Sequence, residues 1–579
     1  MKILMDEKFS TSKELLKIKL QGPSTRAIYN SAKAEGLPII EIGNGIYQIG
    51  YGEKGRVFND TIGSNTSAIA VEICRDKCIT KKILEMNSIP VVKGECVDDN
   101  TKLLEIAHCK GYPVVLKPQF GSNGSGVVVN IKSDIELLKA YELISEKTKD
   151  IIIEEFIEGR DYRVCVVDYK VVAVSQRIRP YVIGDGIKTI KELIDDLNKD
   201  ILRGMNCERP LTKIKLSKEL DIYLKKNKHD INEIIKKDVK VILRENANLS
   251  TGGFAEDATD LISEENIKIC ERAAKALGLD ICGIDICTNN ISKSLELYGG
   301  IIEVNAAPEI RMHECPTKGL ARNVSKEILK SMYKTGFDNI PLISLIGTSG
   351  KAITTRLISY VISLMGYTVG MRTMDEVSIG EDIISKSDTA SKSIKSVLIN
   401  KEVEFAILES SKAEIMKSGL EYDIADVGVI NNNLDESKEE DYDSDKSVSM
   451  ESLVIESVKK DGYAVINADD CQSKFMIEIA RLHEVKTILF SVNKDNKYIL
   501  ENKRMGNPTV YLDDEFIAVH NRNKEYKICD YRYMPIMLED ECNKYNALAA
   551  CSALVGINMD YAIISKGFLE FENRVKDDI

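Results

Sequence analysis

Residues 117–126 read Lys117-Pro-Gln-Phe-Gly-Ser-Asn-Gly-Ser-Gly126, and further along Asp285 is followed by Glu303-Val-Asn305. A Gly/Ser loop behind a lysine can fold over a nucleotide's phosphates, its backbone N–H groups pointing at the oxygens. Two carboxylates and an amide supply hard oxygen ligands for Mg²⁺ carrying the same phosphates. Together these groups imply an enzyme that uses ATP to activate a carboxylate. Each alone is common, since a Gly/Ser loop is usually a turn and Glu-x-Asn occurs by chance.

The elements that must hold these groups read as alternating strands and helices, so the chain is α/β. Strands are expected at Tyr112–Leu116, Ile151–Glu155, Val164–Asp168 and Ile301–Val304. Apolar residues recurring at three and four predict helices over Ile135–Ser145 and Glu265–Leu277. The lysine-rich stretch 215–240 reads as a mobile, solvated insertion, and Asp435–Ser449 as an exposed acidic loop. A boundary falls near Ile340-Pro341. Beyond it, Leu342–Ile346 reads as a buried strand, Gly347-Thr-Ser-Gly-Lys351 as a second phosphate-type loop, and Ile353–Met365 as its helix.

Composition bounds the function. With 579 residues, two or three domains are expected. Apolar residues make up 44% and charged residues 29%, the balance of a soluble globular protein. No leader or spanning segment is read, so a cytoplasmic location without membrane association is expected. The net charge of −12 argues against nucleic acid as a partner. The fourteen cysteines lack a CxxC pair and there are only five histidines, so reduced, mostly core thiols are expected and no zinc site.

Longer motifs carry a resemblance. Asp76-Lys77, Thr80-Lys81, Gly111-Tyr-Pro-Val-Val-Leu-Lys117-Pro118 and Glu154-Glu-Phe-Ile-Glu-Gly-Arg-Asp161-Tyr-Arg163 resemble an ATP-grasp domain. Val182-Ile-Gly-Asp-Gly186, Asn246-Ala-Asn-Leu-Ser-Thr-Gly-Gly253, Gly283-Ile-Asp285, Glu303-Val-Asn-Ala-Ala-Pro308 and Arg311-Met-His313 resemble the cyanophycin synthetase family more particularly. Gly22-Pro-Ser-Thr25 and Gly50-Tyr-Gly52 match that family's lead-in.

This resemblance implies roles residue by residue. Lys77 and Lys117 would hold the α- and β-phosphates of ATP, and Ser122, Asn123, Gly124, Ser125 and Gly126 would close over them. Backbone groups at Glu154, Glu155 and Ile157 would grip the adenine, with Asp161 near the ribose. Asp285, Glu303 and Asn305 would bind Mg²⁺. Arg163, Arg203 and Arg311 are candidates for clamping a substrate carboxylate or the leaving phosphate. Arg163 and Arg203 have structural ion pairing as an equal alternative, and His313 has plain hydrogen bonding. Glu309 stands where the family has glycine, so a backbone conformation uncomfortable for glutamate is expected beside Arg311.

The second half resembles the Mur-ligase-like part of the same family, with losses. Ala352 follows Lys351 where a metal-ligating hydroxyl is expected, and alanine offers none. Glu409 is kept, but Ser410-Ser-Lys-Ala-Glu414 replaces an Arg-Gly-Gly element, and Asp435-Glu436 replaces an Asp-His pair. Lys351 is therefore placed in a degenerate second nucleotide site.

The expected organisation is a lead-in at 1–70, an ATP-grasp domain at 71–336 with a lid insertion around 181–250, and a Mur-ligase-like P-loop domain at 340–579 without its C-terminal domain. The resemblance implies an ATP-dependent acid–amino-acid ligase of cyanophycin (multi-L-arginyl-poly-L-aspartate) synthesis, working through an acyl-phosphate. It would add aspartate or β-aspartyl-arginine to the polymer. The alternatives are an accessory, non-catalytic subunit assembling with a full-length synthetase, and a ligase for another small peptide. Uncovered apolar faces on the second half lead one to expect a homo- or hetero-oligomer.

Overall fold

The computed structural model describes residues 22–97, 100–121, 126–205, 209–348, 350–386, 390–431, 444–538 and 543–572. They divide into two compact units. The first comprises 22–35, 42–47 and 57–336, and the second 36–41, 48–56 and 337–572.

The first unit is built on two antiparallel sheets. The smaller has the strand order Gly94–Val97, Ile151–Glu155, Val114–Pro118, Val128–Ile131. Helices Asn100–Lys110 and Asp134–Ser145 cover it, packing Leu103, Ala107, Leu137 and Ala140 on Leu116, Ile151 and Ile153. The second helix starts where Ser133 accepts from the Glu136 N–H, a cap that satisfies an otherwise orphaned donor.

The larger sheet has five strands: β1 (Arg160–Val167), β2 (Lys170–Ile178), β3 (Phe254–Asp257), β4 (Ile281–Thr288) and β5 (Gly299–Asn305), in the order β3-β2-β1-β4-β5. Alternation decides what each face carries. Tyr162, Val164 and Val166 of β1 and Cys282, Ile284 and Ile286 of β4 enter the core under helix Glu264–Leu277. Arg163 and Asp285 therefore point to the opposite face.

In β5 the alternation breaks. Ile286 pairs with Ile301 but Asp285 pairs with Glu303, so Ile302 is an extra residue in a β-bulge. A bulge shifts the side-chain phase by one. Ile301 stays in the core, while Glu303, two residues later, stands opposite Asp285.

The strand and helix expectations hold to within a few residues, with one clear correction. The stretch 215–240 is folded. Helix Lys218–Lys226 buries Leu220 and Leu224 in a small core with Val182, Ile190, Ile194, Ile235 and Val241, closed by strands Tyr181–Ile183 and Lys240–Ile242. The lysines occupy the outer face, and the spacing of the two leucines is the signal that the lysine count obscures. Two further expectations change. Cys78 and Cys96 are joined by a disulfide, so the thiols are not all reduced. The acidic loop 435–449 falls partly outside the described residues, and its end, from Ser444, lies in helix Ser444–Glu456.

The second unit is organised by an eleven-stranded sheet. Its middle is parallel, running Val369–Arg372, Phe405–Glu409, Leu342–Gly347, Ala425–Asn431, Val458–Asn467, Lys486–Ser491. These strands are buried and rich in Ile, Val and Leu, as parallel strands covered on both faces must be. Gly50-Tyr51-Gly52 belongs to this unit. Tyr51 is fully buried and its hydroxyl accepts from the Asp423 N–H at 2.8 Å. Gly52 has φ +55°, and a Cβ there would lie 2.2 Å from the Val403 carbonyl. Among the described residues no helix is long and apolar enough to cross a membrane.

Leu224→Ala is expected to cost the small 181–243 core about 2–5 kcal/mol. Hydrogen exchange checks this: amides in 181–243 should lose protection while those of β1 and β4 keep it.

Candidate functional site

The register of the larger sheet lines up charge. Arg163 stands opposite Asp285, and Asp285 opposite Glu303, in one row across β1, β4 and β5. Arg163 grips Asp285 with both arms of its guanidinium, Nε to Oδ1 at 2.5 Å and Nη2 to Oδ2 at 3.1 Å. Arg177 of β2 adds a contact of 3.3 Å to Oδ2. Burial pushes the Asp285 pKa up, but the two arginines outweigh it and hold the carboxyl at about 2. Glu303 goes the other way. Burial first, and then the Asp285 charge, raise its pKa, and the two carboxyls share a hydrogen bond.

Asn305 lies on the same side of β5 and donates from Nδ2 to Glu303 Oε1 at 3.3 Å. The donor set Asp285, Glu303 and Asn305 fits a hard divalent cation. A carboxyl pushed towards its neutral form beside a carboxylate gains most from a cation's arrival.

Phosphate-type lysines border the same space. A cavity of about 620 Å³ is lined by Lys77, Lys81, Phe120, Gly121, Glu303 and Asn305, among others. Lys77 opens helix Lys77–Met86, whose cap Asp76 accepts from the Cys78 and Ile79 N–H groups. Its Nζ reaches the Gly121 carbonyl at 2.8 Å. Burial lowers the Lys77 pKa, opposed by Glu303 and reinforced by Lys117.

Lys117 is buried and pairs with Glu154 Oε2 at 2.8 Å, while Lys81 pairs with the other oxygen of the same carboxylate. Burial pushes the Glu154 pKa up, but Lys117 and then Lys81 draw it below its ordinary value. The Glu154 side chain is thus engaged by two lysines. Lys81 is the residue sequence reading missed, although it lies within the quoted Asp76–Lys81 run. Of the neighbouring backbone, the Glu155 N–H already donates to the Lys93 carbonyl and the Phe156 N–H to the Pro113 carbonyl. The Ile157 carbonyl lies 3.4 Å from Cys287 Sγ. Asp161 pairs in register with Arg177 and Cys287, and burial raises its pKa. Gly126 has φ +75°. Ser122, Asn123, Gly124 and Ser125 lie outside the described residues.

The three candidate arginines divide. Arg163 is fully engaged with Asp285. Arg203 and Arg311 instead converge on Thr212. Arg203 Nη1 donates to its carbonyl at 2.5 Å and to the Gly252 carbonyl at 3.2 Å. Arg311 Nη1 donates to the Thr212 hydroxyl at 3.3 Å. Both side chains are buried, yet among the described residues Arg203 Nε and Nη2 and Arg311 Nη2 have no hydrogen-bond partner. Buried unpaired guanidinium N–H groups are costly, and an anionic group would satisfy them.

The Asn246–Gly253 motif explains itself here. Thr251 Oγ1 donates to Asn246 Oδ1 at 2.7 Å, and Gly252 turns at φ +99° where a Cβ would meet Ile214 at 2.4 Å. The tight turn presents the Gly252 carbonyl to Arg203. The expectation of backbone discomfort at Glu309 is corrected. Glu309 is not in the left-handed region, and its carboxylate pairs with Arg311. His313 is buried with both ring nitrogens unpartnered, and burial, then Arg163, holds its pKa down at about 3.

In the second unit, Lys351 opens helix Lys351–Ser363 behind Gly350, at the end of the central parallel strand. Its Nζ folds back onto the Gly347 carbonyl at 2.8 Å and lies 3.9 Å from Glu409 Oε1. A Cβ at Gly350 would lie 2.0 Å from Asn546 Oδ1, which accepts from Asn431 at 3.0 Å. The loop's form is kept by this amide network. Ala352 presents a methyl beside Lys351, and among the described residues Glu409 is the carboxylate within ion-pair reach of that lysine. Glu414 pairs with Arg372 and, with Ser411, forms the capping box of helix Lys412–Ser418. Asp435 and Glu436 lie outside the described residues.

Comparison with known proteins matches a different domain model to each unit. The RimK-like ATP-grasp domain model matches residues 74–181 and 234–332, and the Mur ligase middle domain model matches 346–554. The cyanophycin synthetase of Synechocystis sp. is 37% identical over 561 residues, covering 95% of this chain and 64% of that protein. That of Trichormus variabilis is 35% identical over 99% of this chain and 64% of its own length. The glutathione biosynthesis bifunctional protein GshAB of Clostridium perfringens is 37% identical over 47% of this chain and 35% of its own. Among solved structures, a bifunctional glutathione synthetase from Pasteurella multocida superposes with a TM-score of 0.44 at 27% identity, over 54% of this chain and 43% of that one. The chain therefore contains a RimK-like ATP-grasp domain and a Mur ligase middle domain. It is similar to the cyanophycin synthetases along nearly its whole length, and spans 64% of theirs.

Arg163→Met is expected to destabilise the first unit by on the order of 3 kcal/mol, because it removes the main partner of a buried carboxylate. Asp285 titrates at about 2 when folded, below its ordinary value, so its contribution is present above about pH 4 and fades as pH falls towards 2. In Arg163→Met that acid loss should move to higher pH, as urea unfolding followed across pH would record.

Proposed function

We propose that the first unit is an ATP-dependent carboxylate–amine ligase acting in the cytoplasm in cyanophycin synthesis. The observation that carries this reading is the registered Arg163–Asp285–Glu303 row bordering the cavity that Lys77 enters. Lys77 and Lys117 are point charges for the nucleotide's phosphates, and Glu154 keeps Lys117 and Lys81 in place. Arg163 and Arg177 hold Asp285 ionised, so the row meets a nucleotide's metal with a charged ligand. Asp285, Glu303 and Asn305 would hold Mg²⁺, which when bound supplies charge neutralisation for the transferring phosphoryl group.

Arg203 and Arg311 receive the reacting carboxylate and then its phosphorylated form, since their free N–H groups suit planar, anionic oxygens. Phosphoryl transfer to the carboxylate makes an acyl-phosphate. An amine then attacks that carbon and phosphate leaves. The substrate is aspartate or β-aspartyl-arginine joined to the polymer; both bring an amine to a polymer carboxylate. The second unit keeps its loop without a metal-ligating hydroxyl, which supports a non-catalytic role there. It also keeps open the second reading, assembly with a full-length synthetase that adds arginine.

Phosphate release from ATP tests this, with Mg²⁺ and a cyanophycin primer. Turnover is expected with aspartate or with β-aspartyl-arginine, and should fall by at least about a hundredfold in Glu303→Gln. Arg203→Met and Arg311→Met should each lower kcat/KM for the primer by about tenfold or more, while ATP binding persists. Folded protein that turns over with neither amine, alone or with a full-length synthetase, would overturn the reading. Turnover seen only with that partner would favour the assembly.

A further inference from the structure

We propose that Cys78 and Cys96 form a reversible thiol–disulfide site that sets the affinity of the first unit for nucleotide, an inference that rests on the nucleotide role proposed for that unit. The bond joins two pieces of that site's wall. Cys78 is the second residue of helix Lys77–Met86, next to the lysine that enters the cavity. Cys96 lies in strand Gly94–Val97, where it pairs with Ile152 while Gly94 pairs with Glu154. The 18-residue separation encloses Lys81, which donates to the Val92 carbonyl at 2.6 Å and pairs with Glu154. The cross-link thus ties the helix bearing Lys77 and Lys81 to the sheet bearing Glu154 and Lys117.

Gln119 connects the sulfur to the lysine. Its Oε1 lies 3.6 Å from Cys96 Sγ, and its Nε2 donates to Asp76 Oδ2 at 2.8 Å. Asp76 caps the helix, and the Lys77 N–H and Nζ both reach the Gln119 carbonyl at 3.4 Å. In the disulfide, Cys96 has no proton to donate. Reduction gives it one, directed at the amide that orients Asp76, and at the same time removes the covalent tie.

Position separates this pair from the unit's buried cysteines. Cys96 is exposed and Cys78 half-buried, so a small thiol can reach the bond. Cys165, Cys270 and Cys287 are buried, and burial pushes each thiol up to about 12, which makes them inert. The chemistry is exchange with a low-molecular-weight thiol. One thiolate attacks a sulfur, giving a mixed disulfide and one free cysteine; a second attacks the added sulfur and releases the other cysteine. Two electrons and two protons pass to the protein, and the thiol leaves as its own disulfide.

If reduction leaves the Lys77 arrangement populated about a third of the time, the dissociation constant for nucleotide rises about threefold. The test is calorimetric titration of the full chain with the magnesium complex of a non-hydrolysable ATP analogue, before and after thiol reduction, with non-reducing peptide mapping of both samples. The expected result is a 78–96 cross-linked peptide in the oxidised sample and roughly threefold tighter binding there. Cys78→Ser and Cys96→Ser should each bind like the reduced protein in both conditions, and Cys109→Ser should keep the difference. Absence of the cross-linked peptide after oxidation, or equal affinities with it present, would overturn the switch alone. Failure to bind nucleotide in either state would overturn the nucleotide reading and the switch with it.

Discussion

A buried carboxylate must be compensated, and much of the first unit's site is arranged around compensating two of them. Asp285 is neutralised by Arg163 directly across the strand pair and by Arg177 from the next strand. Glu154 is neutralised by Lys81 and Lys117. A charge so paired costs far less than an isolated one, and removing one partner costs more than the pair contributes. Among the described residues Glu303 has no such ion pair, and burial and then the Asp285 charge raise its pKa. Arg203 and Arg311 show the opposite deficit, with buried donors unmatched by acceptors. An unmatched carboxyl and unmatched guanidinium groups in one unit are what a metal–nucleotide and an anionic substrate would complete.

The parts of this arrangement that are local were legible in the sequence. Lys77, Lys117, Asp285, Glu303 and Asn305 stand in recognisable runs, and strands such as Ile151–Glu155 announce themselves by composition. What depends on pairing was not legible. Simple alternation from Ile301 puts Glu303 on the core side, and only the bulge at Ile302, a property of two strands together, turns it towards Asp285. Arg163 read equally as a substrate clamp and as a structural ion pair, because sequence does not reveal that Asp285 is its register partner. Lys81 was overlooked because its importance lies in Glu154, more than seventy residues away. In 215–240, the abundance of lysine concealed the two leucines that fold it.

The second unit separates shape from chemistry. Its phosphate-type loop is kept in form by contacts that need no nucleotide: Gly350 against Asn546, Asn546 with Asn431, and Lys351 on the Gly347 carbonyl. These support the fold whatever residue follows the lysine, so Ala352 removes a ligand oxygen without disturbing the architecture. Glu409, buried among them, is raised in pKa by that burial and only partly relieved by Lys351. The similarity to cyanophycin synthetases runs through both units, while among the described residues the Asp285, Glu303 and Asn305 set beside Lys77 lies in the first.

The central claim is that the first unit activates a carboxylate by phosphorylating it. Its most direct test follows oxygen. A cyanophycin primer labelled with ¹⁸O in its terminal carboxylate would be extended with ATP and the accepted amine, and the released phosphate analysed by mass spectrometry. The account predicts one ¹⁸O in the inorganic phosphate for each bond formed. Extension with the label absent from phosphate, or carried into AMP, would contradict it.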